Sequence, residues 1–497
     1  MTSLPPELWR RIACLIPIED FRLFRLYALN KTLLWFYLEE RYSRLCLRYL
    51  ISAPSANSRN IKVESNLHFL KGPSMISQVT KDLELFLHEG LYQDPASRLT
   101  SWMRSILTWS ESASPTFPSL STPSGGLSQL NRLSSMKCTL SCYRRVSRVI
   151  PISSVLITAL SSVWRASWTS LTSLTIVIRT RQVPNLGLAE IVFPNLRELS
   201  LSLSCDPSIT PGDAKRFNEA NRSLEKFFMA HKSILLINVP HLPHLDNLTL
   251  HFDFYCDAKV AAIIVELLKI HSCQLTSLGL YLTMFHVEAN SRWIDSSMEH
   301  CDGCLSELPG WNTADLMAIE FPNLAHLSLN ITEFTIARAF MSKHMQKLRE
   351  LNIQRYMNNT KPVLLLDDIR AAGSGGQLEK LDLRVDTFNA QLMQNLSRSL
   401  PNLRILSVEF YTLDPSVWPC RDDDPVVLPN AIAQLGITLP DSTWALEQLS
   451  LRRSTMLDQT PREFRVALLA ALPSLKVINK WRREDFIDAG CCWQECH

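Results

Sequence analysis

A short pattern of hydrophobic and polar positions, L-x-x-L-x-L, recurs through most of the chain. Nine copies begin at Leu171, Leu196, Leu245, Leu275, Leu324, Leu348, Leu378, Leu403 and Leu446, and a weaker one begins at Leu475. The end of each copy alternates hydrophobic and polar residues, which is the period of a strand with one buried face. The pattern therefore predicts a series of short strands.

The spacing of the copies predicts what lies between the strands. Successive copies begin 25, 49, 30, 49, 24, 30, 25 and 43 residues apart. This base period of about 24 to 30 residues resembles that of leucine-rich repeats and leaves room for a helix after each strand. Helical spacing of apolar residues follows two of the strands, over 258–271 and 388–400.

One strand and one helix bury too little apolar surface to be stable alone, so neighbouring repeats have to stack. We expect an α/β solenoid over 129–480, a leucine-rich-repeat horseshoe with a parallel concave sheet and convex helices. The residues that flank the buried leucines then face outward on the concave side. We predict that a partner protein binds there, at Asn247, His251, Tyr281, Asn330, Gln354, Arg384, Glu409 and Arg452.

Residues 1–50 follow a different pattern, which predicts three short helices. In "SLPPELWRRIACLIP", Ser3 suits an N-cap and the two prolines suit a first helical turn. Leu8, Ile12, Leu15 and Ile16 then recur at helical spacing until Pro17. Further helices are predicted over roughly 19–30 and from Lys31 onward. Their apolar surface exceeds what so small a domain can cover, so it either binds another chain or caps the first repeat.

The motif "LPPELWRRIACLI" and the following "LYALNKTLLWFYLEERY" resemble the F-box, in particular F-box-like proteins of mushroom-forming fungi. The resemblance implies docking on a Skp-type adaptor within a cullin ubiquitin ligase complex, with the repeats holding an unknown target protein. By the motif match, the adaptor-binding residues would be Leu4, Pro5, Leu8, Ile12, Leu15, Leu26 and Leu29.

The remaining segments show weaker patterns. Residues 51–128 are predicted to be a helical linker, with helical periodicity over 78–109 and a Ser/Pro-rich stretch over 110–128. Two long gaps in the repeat register mark insertions at about 288–320 and 413–443. A C-terminal tail is expected over 481–497.

Composition narrows the function classes. Lys and Arg number 51 against 48 Asp and Glu, and they are scattered, so neither a nucleic acid nor a membrane is expected as partner. The chain has only 14 Gly and no phosphate-binding or nucleophile-elbow motif. Because the first residues lack a signal-peptide pattern, we expect an intracellular location, cytoplasmic or nuclear or both, with the 13 cysteines reduced.

Two cysteine clusters, "HCDGC" at 300–304 and "CCWQECH" at 491–497, are the candidates for a metal site. Their spacing does not supply four converging ligands, so we predict no metal and no cofactor. An enzyme that uses His251 with Asp253, or His326, lacks a nucleophile motif. We therefore expect a non-catalytic substrate-recognition subunit of a Skp, cullin and F-box type ubiquitin ligase. The alternative is a leucine-rich-repeat scaffold without ligase attachment.

Overall fold

The computed structural model describes a chain that divides into two compact units, one reaching to His271 and the other starting at Ser272. The described residues are 5–16, 31–50, 79–89, 130, 132–142, 163–179, 193–204, 222–223, 225–226, 242–253, 258–282, 313–331, 334–358, 360–413, 444–453, 465, 468–469, 471–479 and 481–484.

Within the described residues, the first unit contains two N-terminal helices, six strands and a third helix after the last strand. Its elements are α1 (Pro6–Cys14), α2 (Lys31–Tyr42), β1 (Arg44–Leu50), β2 (Asp82–Glu89), β3 (Ser135–Cys142), β4 (Ser173–Arg179), β5 (Glu198–Ser204), β6 (Asn247–Asp253) and α3 (Ala258–His271). The strands pair in sequence order, and every pair is parallel.

The second unit alternates strands and helices more regularly. Its elements are β7 (Ser277–Leu282), α4 (Thr313–Ala318), β8 (His326–Ile331), α5 (Phe334–His344), β9 (Glu350–Met357), α6 (Thr360–Ala371), β10 (Lys380–Phe388), α7 (Ala390–Ser399), β11 (Ile405–Leu413), β12 (Gln448–Arg453), β13 (Val477–Ile478) and β14 (Trp481–Arg482). Strands β7 to β13 pair in parallel, and β14 pairs antiparallel with β13. This parallel-rich sheet with helices fits the predicted α/β solenoid.

The predicted alternation is present in the strands of the second unit. In β8, Leu327, Leu329 and Ile331 are buried while the residues between them are partly exposed. In the three strands that follow, the first strand leucines lie at matching positions, Leu351 beside Leu381 and Leu381 beside Leu406. Burying a leucine contributes about 1.5–3 kcal/mol, so this stacked column of leucines is the main attraction between repeats.

A shared Pro-Asn sequence before three of the strands joins each repeat to the one before it. In each case the asparagine Nδ2 donates a hydrogen bond to a backbone carbonyl of the preceding repeat. The bonds run from Asn195 to Thr169 at 2.6 Å, from Asn323 to Cys273 at 2.6 Å and from Asn402 to Gly376 at 2.9 Å. These asparagines therefore satisfy loop carbonyls that neither helix nor sheet pairs.

The helices of the second unit are also linked to one another. Arg338 on α5 makes a bidentate ion pair with Asp368 on α6, with N–O distances of 2.5 and 2.7 Å. Farther along α6, Arg370 Nη2 donates to Ser399 Oγ on α7 at 2.8 Å. The turn after α6 has no room for a side chain, because a Cβ on Gly375 would lie 2.1 Å from the Ser399 carbonyl oxygen.

The structure corrects several predicted element boundaries. Residues 82–89, for which the sequence predicts a helix within the linker, form strand β2. Its leucines at 83, 85 and 87 follow the period of two, and the neighbouring β1 and β3 supply hydrogen-bond partners along its whole length. The sheet therefore starts at Arg44, whereas the sequence predicts that the solenoid begins at 129. At the other end, the first two residues of the predicted tail over 481–497 form strand β14.

Helix α1 also begins later than predicted. Pro5 is its N-cap and makes no side-chain capping hydrogen bond, so Ser3 is not the cap. Pro6 occupies the first helical position, where a missing N–H costs no hydrogen bond. Across the described ranges, no helix is both long and apolar enough to cross a bilayer.

Candidate functional site

Helix α1 has one face packed against α2. Ala13 on α1 and Leu33 on α2 are both buried, and the partly buried Trp9, Ile16 and Phe36 pack around them. Ile16 therefore belongs to this contact, whereas the sequence pattern places it in one stripe with Leu8 and Ile12. The helix presents two apolar faces, and α2 covers only one of them.

The second apolar face of α1 carries three of the residues predicted to bind an adaptor. Leu8 is 42% exposed, Ile12 39% and Leu15 83%. Pro5, at the start of the helix, is exposed as well. The remaining candidates Leu4, Leu26 and Leu29, and the predicted second helix, lie outside the described residues. We call Leu8, Ile12 and Leu15 the α1 patch.

Apart from Gln354, the predicted partner-binding residues lie on the sheet face opposite the buried leucines, which we call the polar face. Across β7 to β12 this face carries three rows of side chains, numbered along the strand direction. The first row is Ser277, His326, Glu350, Lys380, Ile405 and Gln448. The middle row is Gly279, Ser328, Asn352, Asp382, Ser407 and Ser450. The third row is Tyr281, Asn330, Tyr356, Arg384, Glu409 and Arg452.

The third row contains a connected group of aromatic and charged side chains. Glu409 accepts a hydrogen bond from the Tyr356 hydroxyl and pairs with Arg384 Nε at 3.1 Å. The Arg384 guanidinium carbon lies 5.8 Å from the centre of the Tyr356 ring. Tyr411 stacks on Tyr356 with the ring centres 4.0 Å apart. These contacts hold each side chain in one orientation before any partner binds.

Tyr356 is a residue that the sequence pattern misses. A shift in register places Tyr356, instead of Gln354, beside Arg384. Gln354 and Arg355 form the irregularity, and both are partly exposed. The sequence does carry a signal, because position 355, where the alternation requires an apolar residue, is an arginine. In the structure the next buried residue after Ile353 is Met357.

Asp382, in the middle row, is a half-buried carboxylate with cations nearby. Burial raises its pKa above the ordinary range. A hydrogen bond with the Ser407 side chain and the positive charges of Arg384 and Arg452 oppose this shift only in part. Tyr281 is half-buried too, and its hydroxyl is hydrogen-bonded to that of Ser328; burial raises the pKa of Tyr281.

Glu350, in the first row, lies within ion-pair distance of two side chains on neighbouring strands. Its carboxylate lies 2.9 Å from Lys380 Nζ and 3.4 Å from His326 Nδ1. Burial alone would raise the pKa of Glu350, but the hydrogen bond and charge of Lys380, with a contribution from His326, outweigh it and the pKa is lowered. Lys380 therefore has an acidic partner within the first row, and Arg384 has one within the third row.

The polar face of the first unit differs in chemistry. Its matching positions across β4, β5 and β6 are mostly hydroxyl-bearing: Ser173, Thr175, Ser200, Ser202 and Thr249. The candidate His251 lies 3.2 Å from Ser202 Oγ through Nδ1, and the candidate Asn247 pairs with Glu198 in the strand register. Tyr and Arg dominate binding energy in protein interfaces while Ser and Thr contribute little, so the second unit has the stronger candidate surface.

The described side chains include no group of three or more His, Cys, Asp and Glu that could hold a metal ion. Both cysteine clusters singled out in the sequence, at 300–304 and 491–497, lie outside the described residues.

Comparison with known proteins yields no family model and no curated protein that matches the chain. Two solved structures are similar in part. One is the complex of Rad7 and Elc1 in yeast, with a TM-score of 0.30, 17% identity and 71% of each chain covered. The other is the TLR13–ssRNA13 complex, with a TM-score of 0.30, 15% identity, and 71% of this chain and 40% of that chain covered. With such TM-scores, neither likeness bears on function.

Proposed function

We propose that the chain is a non-catalytic substrate-recognition subunit of a Skp, cullin and F-box type ubiquitin ligase. In this proposal the α1 patch binds a Skp-type adaptor and the polar face binds a target protein. The observation that carries it is the exposure of Leu8, Ile12 and Leu15 on a helix whose other apolar face is already packed. The resemblance of "LPPELWRRIACLI" to the F-box supplies the identity of the partner.

The physical argument concerns the cost of leaving this patch in water. Fully burying a leucine or isoleucine contributes about 1.5–3 kcal/mol, and these three side chains are 39% to 83% exposed. Covering them in a partner's groove would contribute on the order of 2–4 kcal/mol in total. A helix with apolar anchors at i, i+4 and i+7 is the form in which many proteins insert into such a groove.

The test is retention of a Skp-type adaptor by the full-length protein. The double variant Leu8→Asp with Ile12→Asp should lose the adaptor, because each carboxylate would be buried unpaired in the interface. A matched control is Val363→Asp with Leu364→Asp on α6, since these side chains are 38% and 39% exposed. The control should keep the adaptor. If the unmodified protein fails to retain the adaptor at micromolar concentration, the ligase proposal is wrong.

A specific observation favours the second candidate, a scaffold in which the front helices cap the array. Helix α2 leads directly into β1, and the Ser43 carbonyl oxygen accepts hydrogen bonds from the backbone N–H groups of Lys81 and Asp82 at 2.8 and 2.9 Å. Lys81 Nζ also lies 2.8 Å from Glu39 on α2. These contacts attach α2 to the start of the sheet, as a terminal cap requires.

Deleting residues 1–42 separates the two candidates, because it removes α1 and α2 and leaves Ser43 and β1 in place. A receptor loses adaptor binding while the unfolding midpoint of the repeats changes little. A capped scaffold loses stability instead, and its target binding falls with it. Circular dichroism melting, measured alongside adaptor retention, distinguishes these outcomes.

A further inference from the structure

The middle row of the polar face carries mostly smaller side chains than the two rows beside it. Its residues across β7 to β12 are Gly279, Ser328, Asn352, Asp382, Ser407 and Ser450. Most of these side chains are small, while the flanking rows carry Glu350, Lys380, Tyr356, Arg384 and Glu409. The row therefore forms the floor of a trough that runs across the strands.

The trough has a defined beginning and a usable length. At β8 the Tyr281 hydroxyl reaches the floor residue Ser328, so the ring covers that end. From Asn352 on β9 to Ser450 on β12 the floor spans three strand spacings, or about 14 Å at roughly 4.8 Å each. An extended segment of about four residues, at roughly 3.3 Å per residue, covers this distance.

The first and third rows form the two walls of the trough, and each wall contains an ion pair between its own residues. On one side Lys380 pairs with Glu350 at 2.9 Å. On the other side Arg384 pairs with Glu409 at 3.1 Å, and Tyr356 donates a hydrogen bond to the same carboxylate. Apart from Arg452 on β12, a partner therefore meets charged wall residues that are already paired, which supply shape and aromatic surface.

The floor has one ionisable group, Asp382. It is half-buried, and no salt bridge joins it to another side chain within the described ranges. Arg384 and Lys380, its neighbours along β10, are both engaged by wall carboxylates. Arg452, two strands away, is exposed. Asp382 is hydrogen-bonded to Ser407, and the cations around it act without a direct salt bridge. Burying a carboxylate in this way is costly, and a cation from a partner placed in direct contact with it would reduce the cost.

From this arrangement we infer that the trough binds an extended segment of the target protein, with a lysine or arginine side chain seated on Asp382. The inference rests on the proposed function in that it identifies the target surface and the chemistry of the bound segment. Lysine and arginine suit the site because an alkyl stem can lie along Tyr356, on the strand next to Asp382, while the charged head meets the carboxylate. Burial is the main cause of the raised pKa of Asp382, and the charges of Arg384, Arg452 and Lys380 oppose it only in part.

Peptide selection against the full-length protein tests the inference. The probe is a phage-displayed library of random peptides of about eight residues, twice the length that the trough needs. Wild-type protein should select peptides with a Lys or Arg at one position. Replacing that residue by Gln in a selected peptide should weaken binding about tenfold, as expected for loss of a charge-assisted hydrogen bond.

The decisive variant is Asp382→Asn, which keeps the side-chain shape and removes the charge. It should bind the Lys or Arg peptide and its Gln counterpart equally well. Asp367→Asn, which removes an exposed carboxylate on α6, is the matched control and should keep the preference. A second variant, Ser407→Lys, supplies a cation beside Asp382 from within the chain and should also abolish the preference. Equal unfolding midpoints by thermal melting show that the variants remain folded.

Three results would overturn the inference: no selected peptide, a preference for Asp or Glu, or a Lys or Arg preference that persists in Asp382→Asn. Failure of the ligase proposal is recognised separately. The variant carrying Leu8→Asp and Ile12→Asp should bind the selected peptides like wild type, because the α1 patch lies outside the trough. Loss of adaptor binding and loss of peptide binding are therefore independent readouts.

Discussion

His344 is a buried histidine, and one of its ring nitrogens makes no hydrogen bond. Its ring packs against Phe340 and Phe321 with centroid distances of 4.8 and 5.3 Å. Its Nε2 has no hydrogen-bond partner. Burial, with repulsion from Lys343, lowers its pKa from 6.5 to about 4, and Glu320 opposes this shift weakly. The folded protein therefore holds His344 neutral under conditions where the unfolded chain would protonate it.

This lowered pKa predicts acid sensitivity. Between pH 6.5 and about 4 the unfolded state binds a proton at His344 that the folded state does not, so stability falls as the pH falls through this window. The loss should reach on the order of 2–3 kcal/mol. Urea unfolding of wild type and His344→Leu at pH 7.5 and pH 5 measures it. The variant should lose less stability on acidification, whereas His244→Gln, at an exposed position, should behave like wild type. Equal pH slopes in wild type and His344→Leu would contradict the prediction.

At the scale of elements, the bidentate pair between Arg338 and Asp368 joins α5 to α6. Ser342 Oγ also donates to the same carboxylate at 3.2 Å. The Arg338 hydrogen bonds are the main reason that the pKa of Asp368 is lowered. Because the Asp368 side chain is only 20% exposed, this pair is screened less than a surface ion pair. Nothing in the sequence pattern indicated it, since the partners lie 30 residues apart on different helices.

A double-mutant cycle with Arg338→Ala and Asp368→Ala should show a coupling of about 1 kcal/mol, between the values for exposed and buried pairs. The reference cycle uses Arg370→Ala and Asp367→Ala, an exposed pair within α6, and should give about 0.3 kcal/mol. Chemical unfolding at low and high salt provides both numbers. A coupling for Arg338 and Asp368 no larger than the reference would show that the helices are held by packing alone.

The elements also show what sequence reasoning can reach. The strands from β4 to β12 follow directly from the leucine pattern, because a buried leucine at every second position leaves no other register. For β2 the sequence predicts a helix although its leucines alternate, because so short a run fits both periods until its pairing with β1 and β3 is known. On α1 the sequence pattern identifies the apolar positions but puts them in one stripe. The contact with α2 shows that Ile16 packs inward, whereas Leu8 and Ile12 remain exposed.

At the scale of the whole molecule, the chemistry of the candidate site depends on register between strands. The third row brings together Tyr356, Arg384 and Glu409, which lie up to 53 residues apart in sequence. The sequence placed Arg384 and Glu409 on this face but put Gln354 in the position that Tyr356 holds. A bulge of two residues is a local event, yet it determines which aromatic ring meets the charged pair.

Stacked repeats contact only their neighbours, so a destabilising substitution in one repeat should lower the stability of that repeat and of the repeats beside it. Leu381 in β10 is fully buried, and Leu381→Ala should cost about 2–5 kcal/mol because it leaves a cavity in the leucine column. Amide hydrogen exchange should show lost protection first in β9, β10 and β11. Strands β4 and β5, which make no hydrogen bonds with β10, should keep theirs. The mirrored variant Leu174→Ala should reverse the pattern, and a uniform loss of protection in both variants would instead mean that the chain unfolds as one cooperative unit.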